Sequence, residues 1–158
     1  MSPGHLLYYF GTKERLLLEA LRASEADLTL ERSRIVGSSA DPRSALVAFL
    51  ELYLPTGRGD PRWTLWTALW DLTGADEDAR RAQAEMDEAW ERDLRAIVLA
   101  GCEQQIFVVE AIDDFVTVCT SLLDGLSIRV VTGEPGMDRD EALRLGLAFC
   151  RTALATTA

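Results

Sequence analysis

Apolar residues recur along the chain at spacings of three and four, and no segment alternates with period two for long, so the pattern predicts helices throughout. Leu17, Leu21, Ser24, Leu28 and Ile35 fall on one face of a first helix that Thr12 is placed to cap. After Asp41-Pro42, the residues Leu46, Phe49, Leu50 and Tyr53 follow the i, i+3, i+4, i+7 rule. Trp63, Trp66 and Trp70 do the same after Asp60-Pro61, with Leu65, Leu69 and Leu72 on another face, so that helix must be largely buried. Residues 76–104 read as a long helix striped by Met86, Trp90, Leu94, Ile97 and Val98. Residues 109–131 carry Ile112, Phe115, Val116, Cys119, Leu122, Leu123 and Leu126. Residues 138–155 set Leu143, Leu147, Cys150 and Leu154 on one face and Leu145 and Phe149 on the other. Gly- and Pro-rich breaks at 55–61 and 132–136 separate these runs. The prediction is an all-α fold of about six or seven helices, without internal repeats.

The last two helices are each apolar over more than one stripe and mix in small residues, Gly125 and Ser127 in one, Gly146 and Ala148 in the other. A second stripe needs a second partner, which in a domain this small is either the rest of the protomer or another copy of the chain. Two such helices from each subunit would make a four-helix interface with two-fold symmetry, with Leu122, Leu126, Val130, Leu143, Leu147 and Cys150 as its candidate residues.

Composition narrows the function classes. The chain has 158 residues and a formal charge of -10, from 16 cations, of which Lys13 is the only lysine, against 26 acids. All of that excess lies in residues 38–158, whereas residues 1–37 balance five cations with five acids. Bulk charge therefore argues against coating nucleic acid or an anionic membrane, but not against a local contact near the N-terminus. Residues 76–93 hold eight acids and three arginines, as a solvated helix face does. The three cysteines, Cys102, Cys119 and Cys150, form no CxxC pair and read as thiols of a reducing cytoplasm. No charged-then-apolar leader opens the chain, and charge interrupts the longest apolar stretches, so a cytoplasmic protein without a membrane partner is expected. The single histidine, His5, has no catalytic company, and HExxH, GxSxG and Gly-rich phosphate loops are absent from the sequence. Neither an enzyme, a metal nor a cofactor is implied; catalysis would need an acid/base pair of unfamiliar pattern.

The aromatic residues suggest binding instead. Phe49, Tyr53, Trp63, Trp66, Trp70, Trp90 and Phe115 lie on successive helices that must pack together. Rigid rings at the centre of a bundle leave cavities for apolar or aromatic ligands, although for any single ring a plain core is the competing reading. Thr67, Asp71, Thr117 and Thr120 are candidate polar groups to orient such a ligand.

The opening segment is the most specific. Ser2-Pro3-Gly4-His5-Leu6-Leu7-Tyr8-Tyr9-Phe10-Gly11-Thr12-Lys13-Glu14-Arg15-Leu16-Leu17 resembles the recognition helix and following turn of the TetR family of bacterial transcriptional regulators. A short helix ends in two aromatics and a Phe, then comes Gly-Thr-Lys, then a long linking helix. The resemblance implies base-edge contacts from Ser2, Pro3, Gly4 and His5, and phosphate contacts from Tyr8, Tyr9 and Lys13. The tryptophan-bearing helix, the long acidic helix ending near Phe107, and Leu122-Leu123-Asp124-Gly125-Leu126 resemble the BetI-like branch of the family. That likeness implies an effector pocket among the central helices and a dimeric bundle from the last two.

One departure is notable: in the family two further helices precede the recognition helix, and this chain begins at Met1 within it. The expectation is thus a TetR-like bundle with an incomplete helix-turn-helix at residues 1–37 and a ligand-binding and dimerisation domain at residues 38–158. Its partners would be a small apolar or aromatic effector, a second copy of the chain, and operator DNA where the missing helices are supplied. A dimeric ligand-binding module without a DNA role is the alternative.

Overall fold

The computed structural model describes residues 12–37, 41–74 and 76–155. Among these residues six helices follow one another: α1 (Lys13–Gly37), α2 (Pro42–Tyr53), α3 (Pro61–Thr73), α4 (Glu77–Glu103), α5 (Ile112–Thr132) and α6 (Arg139–Ala153). Among the described residues there is no strand, only a single bridge between Val108 and Ala155. Thr12 caps α1, accepting a hydrogen bond from the Arg15 amide at 3.2 Å. Asp41, Asp60, Asp76 and Asp138 cap α2, α3, α4 and α6 in the same way, and Pro42 and Pro61 occupy the first turns where no amide is needed. Gly133, at φ 73°, ends α5 in the left-handed conformation that glycine adopts without strain.

Helix α4 is the spine of the molecule, packing against α1, α2, α3 and α5, while α6 lies on α5 and α2. The core between them is continuous, from Leu18 and Leu21 through Phe49, Leu50, Trp63, Leu69, Leu94, Ile97, Val116 and Leu123 to Leu154. Helix α5 is long and apolar enough to cross a membrane by length and composition alone. It is a core helix here, with Phe115, Val116, Cys119, Leu123, Leu126 and Val130 buried in the bundle.

The structure corrects the face assigned to α1. Leu17 and Ser24 are only half-buried, and the buried stripe runs through Leu18, Leu21, Glu25 and Arg32. Two opposite charges therefore occupy core positions. The rule that charged residues stay outside fails here because the two side chains pair with each other.

Candidate functional site

The aromatic site is set by the start of α3. Asp60 accepts from the Arg62 and Trp63 amides at its helix end, and from the Thr56 amide and hydroxyl across the turn, both at 2.8 Å. The turn also contains Gly59 at φ 71°, whose amide bonds the Val131 carbonyl of α5. With α3 anchored, Trp63, Trp66 and Trp70 project from one stripe toward α2 and α4. Trp63 and Trp70 meet edge to face at 6.0 Å, and Trp66 and Trp70 lie 6.2 Å apart. Tyr53 of α2 closes the ring set, 6.1 Å from Trp63 and 4.9 Å edge to face from Trp90 of α4.

These rings, with Arg62, Asp87 and Asp124, surround a cavity of about 20 Å³, room for one or two waters. Tyr53, Asp87, Trp90 and Asp124 also line an adjoining polar cleft of about 180 Å³, completed by Glu91, Thr120 and Ser121. An aromatic inner chamber thus opens into an outer chamber carrying three carboxylates and no cationic side chain.

The electrostatics are unusual for a core. The Tyr53 hydroxyl donates to Asp124 Oδ1 at 2.6 Å. Burial pushes the Asp124 carboxyl up to about 6, the nearby Asp87 adds to this, and the Tyr53 hydrogen bond opposes it. Asp87 is also raised, by burial first and then by Glu91 and Glu25, against a hydrogen bond from Gln83. Burial and the Asp124 charge hold the Tyr53 hydroxyl well above its ordinary range, so it is a hydrogen-bond donor at every physiological pH. Arg62 supplies the one cation of the inner lining. It is held by the Leu52, Tyr53 and Leu54 carbonyls, with its guanidinium 5.6 Å from the Trp63 ring centre. The indole N–H of Trp63 is buried and has no hydrogen-bond partner.

Of the residues singled out from the sequence, Tyr53, Trp63, Trp66, Trp70 and Trp90 line this one cavity. Phe49 lies behind it, edge to face with Trp90 at 5.5 Å. Phe115 is elsewhere, stacked on Phe149 at 5.7 Å between α5 and α6. Thr120 belongs to the outer cleft, Asp71 and Thr117 are exposed, and Thr67 bonds its own helix backbone. The decisive carboxylates, Asp87 and Asp124, were not among the candidates. Their signal was partial: Asp87 stands three residues before Trp90 on the same helix face, and Asp124 is the only acid between Phe115 and Val131 of an apolar helix.

On the outer surface of α5 and α6, Leu126, Val130 and Cys150 are buried inside the protomer, so they present nothing to another chain. Leu122, Leu143 and Leu147 are half-buried. Leu145 and Phe149 of α6 are half-buried as well, whereas Val118, Ser121 and Gly125 of α5 are exposed, Val118 by 51%. The positions Ser2, Pro3, Gly4, His5, Tyr8 and Tyr9 lie outside the described residues; Lys13 is exposed at the first turn of α1.

Residues 42–155 match the family model of the BetI-type transcriptional repressor C-terminal domain. No curated protein matches the chain significantly. Among solved structures, a proposed transcriptional regulator from Saccharomonospora viridis in complex with choline is 28% identical, with a TM-score of 0.85 over 98% of this chain and 81% of that one. The reduced form of Escherichia coli NemR (20% identity, TM-score 0.77, 100% and 82% covered) and a proposed TetR-family regulator from Rhodococcus sp. (23%, 0.72, 97% and 81%) share the fold.

Proposed function

The chain belongs to the TetR family of transcriptional regulators, with a BetI-type C-terminal region, and from that premise we propose that it is a cytoplasmic, dimeric regulator whose pocket takes a small organic cation. One observation carries the ligand class: four tryptophans and a tyrosine enclose a cavity that also holds two carboxylates, Asp87 and Asp124. Ring faces attract a quaternary ammonium through their quadrupole, and a buried carboxylate supplies its counter-charge. A neutral apolar ligand would satisfy the rings and leave two carboxylates facing a single cation, Arg62, which is already held by three backbone carbonyls. The similar Saccharomonospora viridis protein in complex with choline supports the same chemistry.

The mechanism follows from the cavity's size. A space of about 20 Å³ is too small for choline, so the ligand binds a form in which the rings of α3 and α4 have parted. Helix α1 packs on both α3 and α4 and leads from the N-terminal segment that resembles a recognition helix. Parting the rings shifts α1, and in a dimer bound to operator DNA this changes the spacing of the two reading segments. Val118, Gly125, Leu145 and Phe149 provide the open face through which two copies pair.

Titration calorimetry with choline and with its neutral isostere 3,3-dimethyl-1-butanol tests the ligand class. The expected result is at least about tenfold tighter binding of choline, the worth of one cation–π contact plus a counter-ion. Equal affinities would return the pocket to an apolar-ligand site, and absence of any binding would make it a plain core.

A further inference from the structure

Glu25 is the anomaly of α1. It is buried and lines neither the aromatic cavity nor the polar cleft; both of its oxygens are spent on groups of the aromatic cage and on Arg32. Oε1 accepts from the Trp66 indole N–H at 2.9 Å, and Oε2 from the Trp90 indole N–H at 2.8 Å. The same Oε2 accepts from Arg32 at 3.3 Å, and Arg32 donates through Nε to Asp93 at 2.8 Å while its guanidinium sits 4.1 Å from the centre of the Trp90 ring. One carboxylate thus joins three helices: its own α1, α3 through Trp66, and α4 through Trp90.

Apolar residues of similar volume fill such a space at less desolvation cost, so packing alone does not account for a charged trio in the core. The hydrogen bonds do something packing cannot. An indole can rotate in an apolar hole, but an N–H bonded to a fixed carboxylate has one orientation. Two of the five rings that wall the cavity are aimed in this way from a helix that contributes no residue to the wall.

We infer that Glu25 is a positioning residue of the cage: it orients Trp66 and Trp90 through their indole N–H groups and makes α1 sense the cage's occupancy. The inference rests on the organic-cation reading for its ligand, not for its geometry. When the rings part around a cation, the two indole bonds either draw α1 with them or break, and both outcomes alter α1. Asp93 holds Arg32 through Nε, while both indole N–H groups donate to Glu25 and not to Asp93, so it separates positioning from ion-pair stability.

The test compares wild type, Glu25→Gln and Asp93→Asn, with choline as probe. Three readouts are followed: the four tryptophan indole signals by NMR, choline affinity, and hydrogen exchange across residues 13–37. In ligand-free Glu25→Gln the Trp66 and Trp90 indole signals move while those of Trp63 and Trp70 stay. Choline binds about tenfold more weakly, and its effect on exchange in α1 disappears. Asp93→Asn keeps choline affinity within about twofold, and keeps the α1 response. Should Glu25→Gln not fold, Trp66→Phe keeps a ring and deletes its N–H; at choline concentrations that saturate it, it loses most of the α1 response. Unmoved indole signals in Glu25→Gln, or an α1 response equal to wild type in Glu25→Gln or Trp66→Phe, overturns the inference. If wild type fails to bind choline or tetramethylammonium, the organic-cation reading falls and the sensing role with it, while the ligand-free indole signals still decide whether Glu25 positions the rings.

Discussion

Asp124 carries an electrostatic cost that the proposed cation would relieve. Its pKa stands near 6 in the folded chain against 3.8 ordinarily. Because the folded value is raised, the folded state holds its proton more tightly, and the stability this one group contributes is fully present below pH 4 and is lost as pH rises through 6. Above pH 6 the ionised carboxylate costs up to about 3 kcal/mol before relaxation, two units at about 1.4 each. Asp124→Asn, which keeps an acceptor for Tyr53, is therefore expected to stabilise the ligand-free protein by about 1–2 kcal/mol at pH 7 and by nothing at pH 4. Thermal melts at the two pH values check this. The same variant should bind choline about tenfold more weakly at pH 7, and wild-type affinity should itself fall as pH drops below 6 and the counter-charge is neutralised; calorimetry across pH 5–8 reads both. A pH-independent affinity would show that Asp124 does not face the cation.

At the scale of elements, two helix features place the site. Asp60 caps α3 and holds the 55–60 turn, so Asp60→Ala removes four hydrogen bonds at once. A loss of about 2 kcal/mol is expected from denaturant melts, with a changed tryptophan emission as Trp63 shifts. The second feature is Gly101, in the last turn of α4. Alanine is the better helix former, but a Cβ there would lie 2.0 Å from Cδ2 of Phe107, a buried ring that cannot swing aside. Gly101→Ala should therefore destabilise by at least about 2 kcal/mol in spite of its helix propensity. Phe107 packs where the chain turns back from α4 toward α5, so the same glycine sets how those two helices approach.

For the whole molecule, the open face of α5 and α6 makes assembly the governing variable. Val118 is half exposed on it and takes no part in the cage. Val118→Glu should convert a dimer into a monomer in light scattering, while choline affinity stays within about threefold, since the pocket is built inside one protomer. A dimer that survives this substitution would place the interface on another surface. The charge of -10 is divided unevenly along the chain: the excess acidity lies in residues 38–158, and residues 1–37 are neutral.

The all-α class, the order of the helices, their capping aspartates and the clustering of tryptophans follow from the sequence itself, because periodicity and capping are local. The three tryptophans of α3 share a face by spacing alone, and so they were bound to share a site. What local pattern could not reveal is which partner each polar residue meets. Glu25 and Arg32 read as surface charges until α3 and α4 bring Trp66, Trp90 and Asp93 against them, partners 41 to 65 residues distant from Glu25 or Arg32 along the chain. Asp87 and Asp124 sit on different helices and become one acidic site only when α4 and α5 pack. Likewise, Leu126, Val130 and Cys150 share stripes with half-buried leucines, and only packing against α4 and α2 decides that they belong to the interior. The sequence determined a bundle with an aromatic centre; tertiary structure decided its charge, because desolvation and ion pairing depend on neighbours in space.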